Sequence, residues 1–142
     1  MDERIKDFGR LIKQIDEVLA CRMNRELQSK DLTASQMNVL VTLCHAPGET
    51  MTLKELESAF HMAQSTIASM AVRLEKKGLV DRTSDLADRR VKHIGLTDKG
   101  RQVCRDGYCH MLETERLLTS RLTGEEMQEL HRLLQLVYDA IQ

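Results

Sequence analysis

The sequence contains no tryptophan, and aromatic residues make up only 3% of its 142 positions, so its core must be built from Leu, Ile, Val, Met and Ala. Such a core suits packed helices better than a β-sandwich. A single proline and seven glycines point the same way. No apolar run approaches the ~18 residues of a membrane span. The opening stretch MDERIKDFGR is charged and lacks the apolar segment of a signal peptide, which leads us to expect a cytoplasmic protein with no membrane partner. The four cysteines, Cys21, Cys44, Cys104 and Cys109, form no Cys-x-x-Cys pair and read as reduced thiols. Also missing are a glycine-rich phosphate loop, a nucleophile elbow and metal ligands at helical spacing, so we expect no enzyme, no cofactor and no metal. The close acids Glu125 and Glu126 stand at a helix start, where they complement the helix dipole.

What is present is a chain of one-domain length, 42% apolar. The formal charge of −1 favours no class of partner, but its distribution is uneven. Residues 50–101 hold ten Lys or Arg against seven Asp or Glu, and the rest hold eleven against fifteen. Apolar residues at three-and-four spacing predict a helix over about 5–28. Thr33-Ala-Ser-Gln36, Thr52-Leu-Lys-Glu55 and Thr123-Gly-Glu-Glu126 each read as a capping box, opening helices over about 34–46, 53–60 and 125–141. A further helix over 63–77 stops at Gly78 after two lysines. Its inward stripe is Ala63, Ile67, Met70, Ala71 and Leu74. The 34–46 helix turns Met37, Leu40, Val41 and Cys44 inward. Extended runs at 79–83 and 91–96 flank a polar loop and read as a β-hairpin. Thr97 caps a long helix to about 121.

Helix, helix, helix, hairpin across 33–96 is the order of a winged helix-turn-helix, with the tight turn near His61-Met62. The expected fold is therefore mainly α, with a two-stranded β wing flanked by N- and C-terminal dimerisation helices. In this motif the 63–77 helix enters the DNA major groove. Its outward residues, Gln64, Ser65, Thr66, Ser69, Arg73 and Lys76, combine small hydroxyls near the helix start with cations further along. Such a face suits base edges and phosphates, although any surface helix is polar outside. The hairpin adds to the argument. Asp88, Arg89, Arg90 and Lys92 put cations on a projecting arm able to enter a minor groove, with Asp88 spaced to hold the Arg90 guanidinium.

Leu32-Thr33, Gln36, Val39-Leu40, Leu53, Leu56, the run Leu74-Glu75-Lys76-Lys77-Gly78-Leu79-Val80, Arg82, Asp85, Asp88-Arg89-Arg90, Ile94, Leu96-Thr97 and Gly100 together resemble the MarR (multiple antibiotic resistance regulator) family. The resemblance implies a dimeric transcriptional regulator, usually a repressor, with a recognition helix in the major groove and a wing in the minor groove. By motif position Asp88 and Arg90 correspond to the family's wing acid–arginine pair. Leu86-Ala87 departs from the pattern, where relatives often carry proline and a polar residue.

The expected organisation is a DNA-binding lobe over 31–97 and a helical dimerisation region over 1–30 and 98–142. The apolar stripes of the outer helices, including Ile5, Phe8, Ile12, Leu118, Leu130, Leu134, Val137 and Ile141, exceed what the lobe can cover, and a second copy is the simplest cover. A symmetric pair would read a pseudo-palindromic duplex operator. The family resemblance further implies a pocket for a small apolar or aromatic effector, for which Ile15, Leu19, Met23, Met37, Leu40 and Met111 offer a soft lining. Two alternatives keep the scaffold and change the signal: thiol redox sensing, with Cys21 near Arg22 and Arg25, or a metal held by Cys44, His45, Cys104, Cys109 and His110. Neighbours such as Cys44 and His45 point ~100° apart on a helix, which works against the metal. A different class again is a helical protein-interaction module without DNA binding.

Overall fold

The helix starts follow the side chains that cap them. In a computed structural model of the chain, which describes residues 7–142, the elements run α1 (Phe8–Ser29), α2 (Ala34–His45), a 3-10 turn (Pro47–Glu49), β1 (Thr50–Thr52), α3 (Leu53–Phe60), α4 (Gln64–Lys76), β2 (Val80–Ser84), β3 (Lys92–Leu96), α5 (Asp98–Thr119) and α6 (Gly124–Ile141). All three expected capping boxes form, at Thr33, Thr52 and Thr123, each with the threonine hydroxyl and the side chain three residues on exchanging backbone N–H partners. Gly78 adopts φ +74° and ends α4 in a left-handed turn. Its N–H donates to Glu75 O (2.9 Å) and that of Leu79 to Leu74 O (3.0 Å), the double bond pattern of a Schellman cap.

The predicted hairpin pairs Val80 with Leu96 through to Ser84 with Lys92. It gains a third strand that the sequence left unassigned. β1 lies on the other side of β3, with Thr50 opposite Gly95 and Thr52 opposite His93, giving the antiparallel order β1-β3-β2. Three residues carry no readable alternation, so tertiary pairing rather than local propensity creates this strand.

The chain divides into two compact units, one ending at Tyr108 and one spanning Cys109–Gln142. The first owns the core: Leu40, Leu43, Leu56, Ile67, Leu74, Val80 and Ile94 are fully buried, with Leu27, Leu32, Val39, Ala71, Leu79 and Leu96 around them. In α2 the buried apolar set is Val39, Leu40 and Leu43, while Val41, expected inward, is exposed. Ala63 is the exposed N-cap of α4 rather than part of its inward stripe. The one buried polar residue among those described, Gln36, closes the Thr33 capping box and accepts from Lys77 Nζ (3.1 Å). Lys77 therefore ties the end of α4 to the start of α2.

The first turn of α5 grips the base of the hairpin. Thr97 Oγ1 donates to Gly78 O (2.7 Å) and accepts from Gly100 N–H (3.1 Å), and Thr97 N–H donates to Leu79 O (3.1 Å). Gly100 has no room for a side chain, since a Cβ there would fall 2.2 Å from Leu79 O. The Lys30 ammonium reaches Asp106 (3.1 Å) and fastens the end of α1 to α5.

Candidate nucleic-acid interface

α4 is held by one face and presents the other. Ile67, Ala71 and Leu74 are buried against the lobe, and Gln64, Ser65, Thr66, Ser69, Arg73 and Lys76 are all exposed, as the 3.6-residue period requires. Ser65, Thr66, Ser69, Met70 and Arg73 line an open groove of about 310 Å3 along that face. The helix begins without a side-chain cap, unlike α2, α3 and α6. Its first turn thus faces outward with backbone donors that no side chain satisfies, a favourable setting for phosphate beside hydroxyls and cations. His61, in the left-handed region at φ +50°, makes the sharp turn that separates α3 from α4.

The wing loop is ordered by two aspartates. Asp85 Oδ1 accepts from the N–H of Ala87 (2.7 Å) and of Asp88 (3.3 Å), and its Oδ2 lies 3.1 Å from His93 Nε2 on β3. The His93 contact and then these backbone donors hold the Asp85 carboxyl below the usual aspartate range. Asp88 Oδ1 accepts from Arg90 N–H (3.0 Å) and Nε (3.1 Å), and Oδ2 accepts from Nη2 (3.2 Å). This two-toothed grip keeps the Asp88 carboxyl low and aims a guanidinium that is 92% exposed. Both features come directly from the Asp-x-Arg spacing seen in the sequence. Lys92 Nζ donates to Ser84 Oγ (2.7 Å) across the hairpin, and Arg89 is exposed on the loop. Arg82 Nη2 reaches Glu75 Oε1 (3.0 Å), which joins β2 to α4 and lowers the Glu75 carboxyl. The recognition-helix and wing candidates therefore stand on one lobe, cross-linked by an ion pair that sequence reading did not single out.

The other predicted residues are less convergent. Leu40 is 0% exposed and belongs to the core, so it cannot wall an open pocket. The Met37 methyl sits where a Cβ on Gly107 would fall, at 2.5 Å, so this side chain packs towards α5. On α1, Leu19 is half-buried and Ile15 and Met23 are exposed, while Met111 is exposed in the second unit. The groove of about 480 Å3 in the first unit is lined instead by Val41, Thr42, His45, Ala46, Pro47, Thr50, Met51 and Glu55, none of them among the effector candidates. Of the dimerisation candidates, Ile5 lies outside the described residues. Phe8 (65% exposed) and Ile12 on α1, Leu118 on α5, and Leu130, Leu134, Val137 and Ile141 on α6 are all exposed. Cys21 and Cys109 are exposed, and Cys44 and Cys104 are half-buried. Burial, then the neighbouring Cys44, pushes the Cys104 thiol up to about 11. Among the described residues, no three His, Cys, Asp or Glu side chains come together as a metal would require.

Comparison with known proteins adds three findings. Residues 32–92 match the model of the MarR family. The chain is 32% identical to the multiple antibiotic resistance protein MarR of Escherichia coli K12, covering 92% of this chain and 90% of that protein. It is 30% identical to the transcriptional regulator HosA of E. coli O111:H-, covering 96% and 98% respectively. In three dimensions it is similar to S. aureus MepR in a MepR–DNA complex, with TM-score 0.86, 25% identity, and coverage of 95% of this chain and 100% of that one. No helix among the described residues is long and apolar enough to cross a membrane.

Proposed function

Since the chain belongs to the MarR family of transcriptional regulators, we propose that it binds duplex DNA as a homodimer, reads a pseudo-palindromic operator and acts as a repressor released by a small effector. The observation that carries this reading is the Asp88–Arg90 grip on a wing joined to the hydroxyl-and-cation face of α4. With α4 in the major groove, Ser65, Thr66 and Ser69 approach base edges, while Arg73 and Lys76 meet phosphate or guanine. Arg90 enters the minor groove, where negative potential is concentrated. The relative solved with DNA, MepR, shares this fold over nearly the whole chain and supports DNA as the partner.

The homodimer rests on the apolar faces of the outer helices. Phe8, Leu11, Ile12, Ile15 and Val18 lie exposed along α1, and Leu130, Leu133, Leu134, Val137 and Ile141 along α6. Apolar surface on this scale is rarely left to water and marks an interface. A second copy burying it brings two recognition helices to two half-sites about one turn of DNA apart. For the effector, Ile15, Leu19, Met23 and Met37 supply soft apolar surface suited to a small apolar or aromatic molecule.

The test is titration of labelled duplex from the region flanking the gene, at two salt concentrations. We expect affinity to fall steeply with salt, as counterion release requires. Arg90→Ala should weaken binding and lower the salt slope by about 1 per wing without unfolding the protein. Unchanged affinity would remove the wing from the mechanism, and a scattering mass of one chain would remove the dimer.

A further inference from the structure

The most exposed apolar side chain described in the protein is at the wing tip. Leu86 is 102% exposed, so it buries nothing and supports no part of the fold. Leucine at such a place contributes nothing to stability, yet the backbone on both sides of it is hydrogen-bonded. The Asp85 carboxylate on one side accepts from the N–H of Ala87 and Asp88, and Asp85 N–H donates to Val91 O (2.9 Å). Val91 N–H donates to Asp88 O (3.0 Å), and His93 anchors Asp85 to β3. The backbone around the tip is therefore tied down before any partner arrives, which lowers the entropic cost of using it.

Its neighbours identify the partner. Arg89, Arg90 and Lys92 surround the tip with cations, and the Asp88 carboxylate is occupied by Arg90. The exposed strand residues beside it are Thr83 and Ser84, and the other apolar residues of the loop are the small, exposed Ala87 and the half-buried Val91, far less apolar surface than a protein interface needs. A single large apolar side chain beside cations matches the minor groove, whose floor and phosphates attract guanidinium and whose deoxyribose walls are apolar. We propose that Leu86 is the wing's apolar DNA contact, entering the minor groove beside Arg90 and packing against the sugar walls. This inference rests on the DNA-binding reading above.

An apolar contact displaces no counterion, and that separates it from Arg90. The experiment uses a duplex selected by the wild-type full-length protein from a random-sequence pool, with affinities measured at several salt concentrations for wild type, Leu86→Ala, Leu86→Met and Arg90→Ala. Leu86→Ala should weaken binding about tenfold with the salt slope unchanged. Leu86→Met should retain most of the affinity, because it keeps apolar volume. Arg90→Ala should lower the slope. Since Leu86 packs on no other residue, the alanine variant should melt as wild type does. Wild-type affinity in Leu86→Ala overturns the inference while leaving the DNA-binding reading intact, and so does a loss accompanied by a changed slope. Failure of the wild type to select any duplex overturns the reading itself.

Discussion

Replacing Gly100 by alanine places a methyl group where backbone already sits. A Cβ on Gly100 falls 2.2 Å from the Leu79 carbonyl oxygen and 2.8 Å from Leu96 Cδ1. The leucine methyl can rotate aside. The carbonyl cannot, because it accepts from Thr97 N–H (3.1 Å) and the strand it leads into is paired with β3 along its whole length. Carbon and oxygen rest at roughly 3.3 Å, so α5 must retreat from β2 by roughly 1 Å. That displacement loosens the Thr97 bonds to Gly78 and Leu79 as well. Overpacking against backbone puts the cost at about 3 kcal/mol. At this chain length that corresponds to a melting temperature lower by about 10 °C. The assay is thermal unfolding followed by far-ultraviolet circular dichroism at matched protein concentration, since the midpoint of the proposed dimer would depend on it. Gly9→Ala is the control. Nothing lies within 4 Å of its Cβ, and removing a glycine from a helix should stabilise by up to about 1 kcal/mol. A Gly100→Ala midpoint within about 2 °C of wild type would falsify the close approach of α5 to the hairpin.

Three further outcomes follow from the site. Asp88→Asn removes the charge that grips Arg90 but keeps the shape, so duplex affinity should drop several-fold with an unchanged melting curve; an unaltered affinity would show that the grip does not aim the guanidinium. The Asp85 and Asp88 carboxyls are both lowered from the ordinary 3.8, so their contribution to the wing is fully present above that value and is lost as pH falls through the lowered folded values. The Arg90 amide shift, which reports the bond to Asp88, should therefore hold constant from pH 7 to about pH 5 and move only as the pH falls towards the lowered value, and movement between pH 7 and 5 would contradict the Asp88–Arg90 pairing. With a disulfide reagent at neutral pH, Cys21 and Cys109 should react quickly and Cys104, pushed up to about 11, slowly; a fast Cys104 would contradict its burial beside Cys44.

Much of this was legible in the sequence because it is locally encoded. A capping box needs only two side chains three apart, and all three formed where Thr33, Thr52 and Thr123 placed them. Gly78 announced its left-handed turn, and Asp88 and Arg90 are close enough in sequence to find each other on any tight loop. What escaped depends on partners distant in the chain. β1 exists only because β3 is beside it, 44 residues on at the Thr50–Ile94 hydrogen bond. Leu40 and Val41 look alike as apolar residues of a helix, and only the packing of α2 decides which is core. The need for Gly100 comes from a carbonyl 21 positions earlier in the sequence.

The residues that hold α4 in place and the residues it displays are entirely different sets: Ile67, Ala71 and Leu74 on one side, Ser65, Ser69, Arg73 and Lys76 on the other. Mutational drift on the displayed side is therefore nearly silent for folding. As the proposed recognition helix, α4 is free to change the sequence it prefers one exposed residue at a time, and a duplicated copy could diverge towards a new target without passing through an unstable ancestor.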